Sequence, residues 1–297
     1  MKAAAYGSRR SPGRRELSSI SESQDDAISP TGFLRIGTSD LEYRMIGPAP
    51  ADAPVIVMLH EGLGSVGLWG DFPEKLQAAT GAGVFAYSRL GYGQSSAAQL
   101  PRSLDFMHVE ARNTLPRLLD AIGFRQGLLV GHSDGASIAA IYAGAVQDHR
   151  VRGLVLMAPH FIVEDVTINS IREIRQAFDT TDVRQRFQRW HADADATVRG
   201  WTDVWMKNDF HAWDISEELA YIRVPILIIQ GEHDHYGTGR QIEIAREECT
   251  CPVDVLLIPS IQHVPHREAP ETTLAAIAGF CQRLLHEQEG APVTTAH

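Results

Sequence analysis

The stretch Leu128-Leu129-Val130-Gly131-His132-Ser133-Asp134-Gly135-Ala136-Ser137-Ile138 decides how this chain reads. An apolar run ends at His132, and a helical pattern of small residues begins after Gly135. Between them stands Gly131-His132-Ser133-Asp134-Gly135, a G-x-S-x-G pentapeptide. A strand that turns sharply into a helix brings backbones too close for a Cβ, so glycine flanks the turn. Such a turn holds Ser133 in a strained conformation and pushes its Oγ into the open. The helix that follows points free N–H groups at whatever reacts there. Taken alone, the pentapeptide would also fit a glycine-rich turn with a surface serine. Its context gives it chemical meaning.

Working outward, Val55-Ile56-Val57-Met58-Leu59 is an uninterrupted apolar run, the kind buried on both faces of a parallel sheet. It enters the loop of residues 60–65, and a helix is expected at 69–79. Residues 84–87 form the next strand, followed by the glycine-spaced turn Arg89-Leu90-Gly91-Tyr92-Gly93. Before these, a strand pair is expected at 33–37 and 41–46, around Thr38-Ser39-Asp40. Residues 105–122 read as a helix, with Leu115, Leu118, Leu119 and Ile122 on one face. Pro116 should kink or restart it. Residues 153–157 are another buried strand. Strands alternating with helices give right-handed crossovers and a mostly parallel central sheet flanked by helices, an α/β fold.

The alternation stops at 160–223. This segment is polar, helical in pattern and holds Trp190, Trp201, Trp205 and Trp213. Trp201 and Trp205 lie one turn apart on one helix face. We read 160–223 as an inserted helical lid on a core formed by 31–159 and 224–288. The sheet resumes with Ile226-Leu227-Ile228-Ile229, then a helix at 238–248, a strand at 253–258 and a final helix at 270–286. Residues 1–30 carry Arg9, Arg10, Arg14 and Arg15 and then serines and acids, a composition expected of a disordered tail. Residues 289–297 are expected to be a loose tail.

The totals bound the function. A chain of 297 residues, 44% hydrophobic, suits one α/β domain with an insertion. A formal net charge of −10 argues against phosphate-driven nucleic-acid binding and against a basic membrane-surface patch. No run of about 18 apolar residues exists, so no membrane span is expected. Cys249, Cys251 and Cys281 make neither a metal pattern nor a disulfide framework, which favours a reducing, cytoplasmic setting. Arg9-Arg10 lacks the apolar stretch of an export signal.

A nucleophilic serine needs a base within reach and an acid that orients the base. Catalytic groups in open α/β sheets gather at the carboxyl ends of strands. Two such ends follow the insertion. Residues 230–237 offer Glu232 and Asp234 as carboxylates, and 259–266 offer His263 and His266 as bases. His233, Asp234 and His235 have no third partner at ligand spacing, so no metal or other cofactor is expected.

Three motifs in this order resemble the α/β-hydrolase family, over residues 33–286. The pentapeptide resembles that family's nucleophile elbow, with Ser133 as nucleophile. The resemblance of residues 231–234 to its G-x-x-D loop implies Asp234 as the acid. The resemblance of the final loop to its G-H-x-P-H-x-E-x-P segment implies His263 as the base, with Gln262 where Gly is common. His266 is then a helix-start histidine bonded to backbone. His60-Glu61-Gly62 is similar to the family's H-G-x motif, with Glu61 in place of Gly. It implies Gly62 as one oxyanion donor, with Leu63 the fallback, and the N–H of Asp134 as the other. His60 reads as a buried structural histidine. The Ser-Asp-Gly elbow and short Trp-containing lid look like the small-lid branch that includes valacyclovir hydrolase.

The family resemblance implies a serine hydrolase acting on a small carboxylic ester through an acyl-enzyme. Lactones, thioesters, C–C bonds or a receptor role of the same fold are alternatives. Serine at the elbow argues against haloalkane dehalogenase and epoxide hydrolase chemistry, which in this fold resembles an Asp-nucleophile type. Pockets are lined by apolar and aromatic groups, so Leu63, Trp201 and Trp205 are expected at the substrate, with Glu61 and His160. Asp134 reads as a carboxylate capping the helix start, and Glu61 as turned to solvent or paired with an arginine. If either instead faced the cleft, neutral or amino-bearing esters would be preferred.

Overall fold

The computed structural model describes residues 29–285. The tail readings for 1–30 and 289–297 lie outside the described residues, apart from positions 29 and 30.

Eight strands form one sheet: β1 (Thr31–Ile36), β2 (Ser39–Ile46), β3 (Val55–Leu59), β4 (Gly83–Tyr87), β5 (Gly127–His132), β6 (Val151–Met157), β7 (Ile226–Gly231) and β8 (Val253–Ile258). Their order is β1-β2-β4-β3-β5-β6-β7-β8. The β1–β2 and β2–β4 pairs are antiparallel, and every pair from β4–β3 to β7–β8 is parallel. The helices are α1 (Phe72–Thr80), α2 (Phe106–Val109), α3 (Leu115–Ala121), α4 (Asp134–Ala145), α5 (Asp165–Thr180), α6 (Val183–Phe187), α7 (Ala194–Trp205), α8 (Ser216–Leu219), α9 (Arg240–Glu248), α10 (Pro265–Glu268) and α11 (Pro270–Leu285).

The uninterrupted apolar runs are buried along their whole length in β3, β4, β5 and β7. Successive side chains of a strand face opposite ways. Val57 and Leu59 therefore join the core shared with α3 and α4, while Ile56 and Met58 join the core shared with α1 and α11. Helices α5 to α8 stand between β6 and β7, where the alternation breaks. Among the described residues, no helix is long and apolar enough to cross a membrane.

Three local expectations need correction. The first hairpin turns in two residues, because Ile36 pairs with Ser39 and Gly37 takes a φ of 61°. A left-handed glycine shortens the turn and frees Ser39 and Asp40 for β2. The helix expected at 69–79 starts later. A 3₁₀ turn over Val66–Trp69 ends at Gly70 with φ 61°, and α1 then begins at Phe72 with Pro73 in its first turn. The helix expected at 105–122 is α2, a π-helical turn over Glu110–Thr114, and α3. Pro116 cannot donate the bond that a regular helix needs, and the widened turn before it absorbs the mismatch.

Candidate active site

Ser133 sits between β5 and α4 with φ 53° and ψ −120°. Both flanking glycines are sterically required. A Cβ on Gly131 would lie 2.4 Å from the Gly135 carbonyl oxygen, and one on Gly135 would lie 2.1 Å from that of Leu59. The Ser133 N–H donates to the Met157 carbonyl at 2.9 Å, which pins the turn to the end of β6. The Ser133 side chain does not cap α4. It instead lines a cavity of about 290 Å³ that His263 also lines.

The loops after β7 and β8 meet on the same side. Asp234 Oδ1 accepts from the N–H groups of Tyr236 at 2.8 Å and Gly237 at 3.2 Å, so its own turn orients the carboxylate. His263 Nδ1 lies 2.9 Å from each Asp234 oxygen. An ionised carboxylate only accepts, so the proton sits on Nδ1 and Nε2 keeps its lone pair. Burial pushes the His263 pKa below the ordinary histidine value, against the pull of Asp234. For Asp234 burial acts upward, but the hydrogen bond and charge of His263 hold it below its usual value. Glu232, the competing carboxylate, is exposed.

His266 departs from expectation. It is buried against Trp69 and Phe72, with ring centroids 4.8 and 5.4 Å away, and its Nδ1 has no hydrogen-bond partner among the described residues. Its setting is an aromatic nest rather than a backbone cap. His132 lies between the two histidines of that loop, 5.2 Å from the His263 ring and 5.1 Å from the His266 ring. Its Nε2 bonds the His263 carbonyl at 2.8 Å.

On the other side, His60 is fully buried. Its Nδ1 donates to the Glu61 carbonyl at 2.7 Å, and its Nε2 accepts from the Arg89 N–H at 3.0 Å. Burial first, and then the Arg89 charge, push its pKa well down. Gly62 and Leu63 both line the cavity. Glu61 lines it too, with Oε2 3.6 Å from His132 Nδ1. It faces the cavity rather than open solvent, and among the described residues its carboxylate pairs with no arginine. Asp134 is a second correction. Its carboxylate neither caps α4 nor lines the cavity: Oδ2 accepts from the Trp201 indole at 2.9 Å, while Oδ1 has no partner among the described residues.

The roof of the cavity comes from helices between β6 and β7. Ile171 and Ile174 of α5, Phe187 of α6, and Trp201 and Trp205 of α7 line it. His160 lines it from the end of β6, 5.7 Å from the His263 ring. Burial, and then His263, push the His160 pKa down to about 3, so it presents a neutral ring. Thr167, His235, Tyr236 and Arg267 also line the cavity and escaped the sequence reading. The helical spacing of Thr167, Ile171 and Ile174 was a usable signal, as was the adjacency of His235 and Tyr236 to Asp234. Among the described residues, no group of His, Cys, Asp and Glu is placed to hold a metal.

With this geometry in hand, the chain can be set beside known proteins. The description of the alpha/beta hydrolase fold family matches residues 54–212. The chain belongs to that family. Epoxide hydrolase 3 of Siraitia grosvenorii is 31% identical over 137 residues, spanning 46% of this chain and 42% of that protein. A proline iminopeptidase of Lactobacillus helveticus is 24% identical over 234 residues, spanning 65% of this chain and 78% of that protein. Among solved structures, an alpha/beta hydrolase fold protein from Chitinophaga pinensis superposes with a TM-score of 0.69 at 16% identity, covering 86% of this chain and 98% of that one.

Proposed function

We propose that this protein is a serine hydrolase that cleaves a small carboxylic ester through an acyl-enzyme. The observation that carries the reading is His263, held 2.9 Å from Asp234, in a cavity lined by a serine with φ 53°. Ser133 Oγ attacks the ester carbonyl while His263 Nε2 takes its proton. Asp234 holds the imidazole tautomer and stabilises the imidazolium. The N–H groups of Gly62 and Asp134 receive the developing oxyanion. Asp134 supplies the first N–H of α4, which has no acceptor within the helix. His263 then returns the proton to the leaving alcohol. A water activated by the same nitrogen releases the acid and restores Ser133.

The wall of Ile171, Ile174, Trp201 and Trp205 favours an apolar acyl or alcohol group. A serine nucleophile favours acyl transfer over the epoxide opening named for one relative. The unpaired Cys249, Cys251 and Cys281 support a reducing compartment, the cytoplasm. The test is labelling with a fluorophosphonate, together with turnover of p-nitrophenyl acetate and butyrate. We expect Ser133→Ala to lose both while keeping the wild-type melting temperature. Labelling that survives in Ser133→Ala would remove Ser133 as nucleophile.

A further inference from the structure

Arg89 lies two residues past the end of β4 and is 3% exposed, so its charge has to be met inside the protein. Its Nη1 donates to the His60 carbonyl at 2.6 Å, and its Nη2 to the Glu61 carbonyl at 3.1 Å. The same Nη2 lies 3.7 Å from Asp134 Oδ2. That oxygen also accepts the Trp201 indole N–H at 2.9 Å. One cation and one carboxylate, both sealed from water, thus join the loop after β3, the first residue of α4 and the roof helix α7.

Peptide planarity carries this network to the reacting carbonyl. In a trans peptide the C=O and N–H point in opposite directions. The Glu61 carbonyl accepts from Arg89 Nη2, from His60 Nδ1 at 2.7 Å and from the Gly64 N–H at 3.1 Å. Fixing that carbonyl fixes the Gly62 N–H on the far side of the same peptide. Trp201 closes the remaining freedom. A Cβ on Gly62 would lie 2.2 Å from the indole, so the ring rests against a bare Cα and leaves the peptide no room to rotate.

We propose that Trp201, held by Asp134 and Arg89, is a positioning residue that keeps the Gly62 N–H aimed at the oxyanion. The inference rests on the serine-hydrolase reading above. It gives Asp134 two separate tasks: its N–H receives the oxyanion, and its carboxylate fastens the roof to the oxyanion loop. It also takes that carboxylate out of substrate recognition, because both groups that meet it belong to this chain. Aimed donors act on the transition state more than on the bound ester. Their loss therefore falls on kcat and on tetrahedral analogues, and leaves KM in place.

The experiment compares wild type, Trp201→Phe, Asp134→Ala and Asp134→Asn. Each is assayed for p-nitrophenyl butyrate turnover, inhibition by butaneboronic acid, fluorophosphonate labelling and melting temperature. Trp201→Phe keeps a ring near Gly62 and removes the donor. We expect it to lower kcat about tenfold or more with KM within about twofold, and to weaken the boronate by the factor lost from kcat/KM. Asp134→Ala should lose as much, whereas Asp134→Asn keeps an acceptor for the indole and should recover most of the rate. Should Trp201→Phe fail to fold, the Asp134 pair carries the same comparison. A change confined to KM, or an unweakened boronate beside a fallen kcat, would make Trp201 a mere cavity wall. Variants equal to a labelled, active wild type overturn this inference alone. A wild type that is neither labelled nor active overturns the hydrolase reading and this inference with it.

Discussion

The floor and the roof of the cavity are held by different kinds of contact. The floor is backbone against backbone: β5 turns into α4 with Gly131 and Gly135 pressed on peptide atoms of neighbouring segments. The roof reaches the floor through side chains. Helices α5 and α7 bury one face each and leave the other to solvent; α5 meets the floor through Thr167 and Ser170, which donate to the Tyr236 and His235 carbonyls, and α7 through Trp201 and Trp205. Backbone atoms cannot repack, whereas side chains can change rotamer. The difference predicts an intolerant floor and a more forgiving roof.

The largest effect should come from the floor's chemistry. His263→Ala should lower kcat/KM by about 10³-fold or more, as loss of a triad base does. His266→Ala, which opens a hole beside Trp69 and Phe72, should lower the melting temperature and cost less than about tenfold in rate. Equal losses in steady-state assays would mean that both histidines work at the reacting centre.

Two glycine substitutions probe the contrast in stability. Gly135→Ala forces a Cβ to 2.1 Å from the Leu59 carbonyl oxygen, an overpacking expected to cost about 3 kcal/mol in urea unfolding. Gly200→Ala lies within α7, and its Cβ would press on the end of the exposed Leu100 side chain at 2.7 Å and touch Arg102 Nε at an ordinary 3.5 Å. There the gain in helix propensity, about 1 kcal/mol, offsets the shift of Leu100. A large loss at Gly200 would show a roof as rigid as the floor.

The smallest effect is a displacement along the pH axis. As the proposed base, His263 works in its neutral form, so rate should fall as pH drops through its pKa. Burial lowers that pKa, so the acid limb of kcat/KM should have its midpoint below about 6.5, the ordinary histidine value. A midpoint above that value would mean that the Asp234 charge outweighs burial.

Much of the floor can be read directly in the sequence. Strands buried on both faces need unbroken apolar runs, and a strand-to-helix turn this tight admits only glycine at its flanks. Residues 160–223 announce themselves by breaking the alternation and by holding four tryptophans, yet the partners of those tryptophans stay hidden. Trp201 bonds Asp134 across 67 positions, and nothing local to either residue encodes the meeting. The aromatic nest of His266 is hidden for the same reason, since Trp69 and Phe72 reach it from the far end of the chain. Glu61 was visible as a departure from the family motif. Its place beside His132 depends on how two strand ends lie together, which no spacing specifies.

The bond from His132 to the His263 carbonyl spans 131 positions. It has a consequence for the order of assembly. During synthesis the bond that pins the elbow to Met157 can close once β6 has emerged. The His132 ring beside Ser133 still lacks its acceptor until the loop after β8 arrives. Contacts this distant in sequence close late, because chain entropy has to be spent before they form. Nascent or truncated chains that stop before residue 263 would carry Ser133 without His263, and so without both the proposed base and the acceptor of the neighbouring His132 ring. The fold thereby delays the meeting of Ser133 and His263 until all eight strands have emerged.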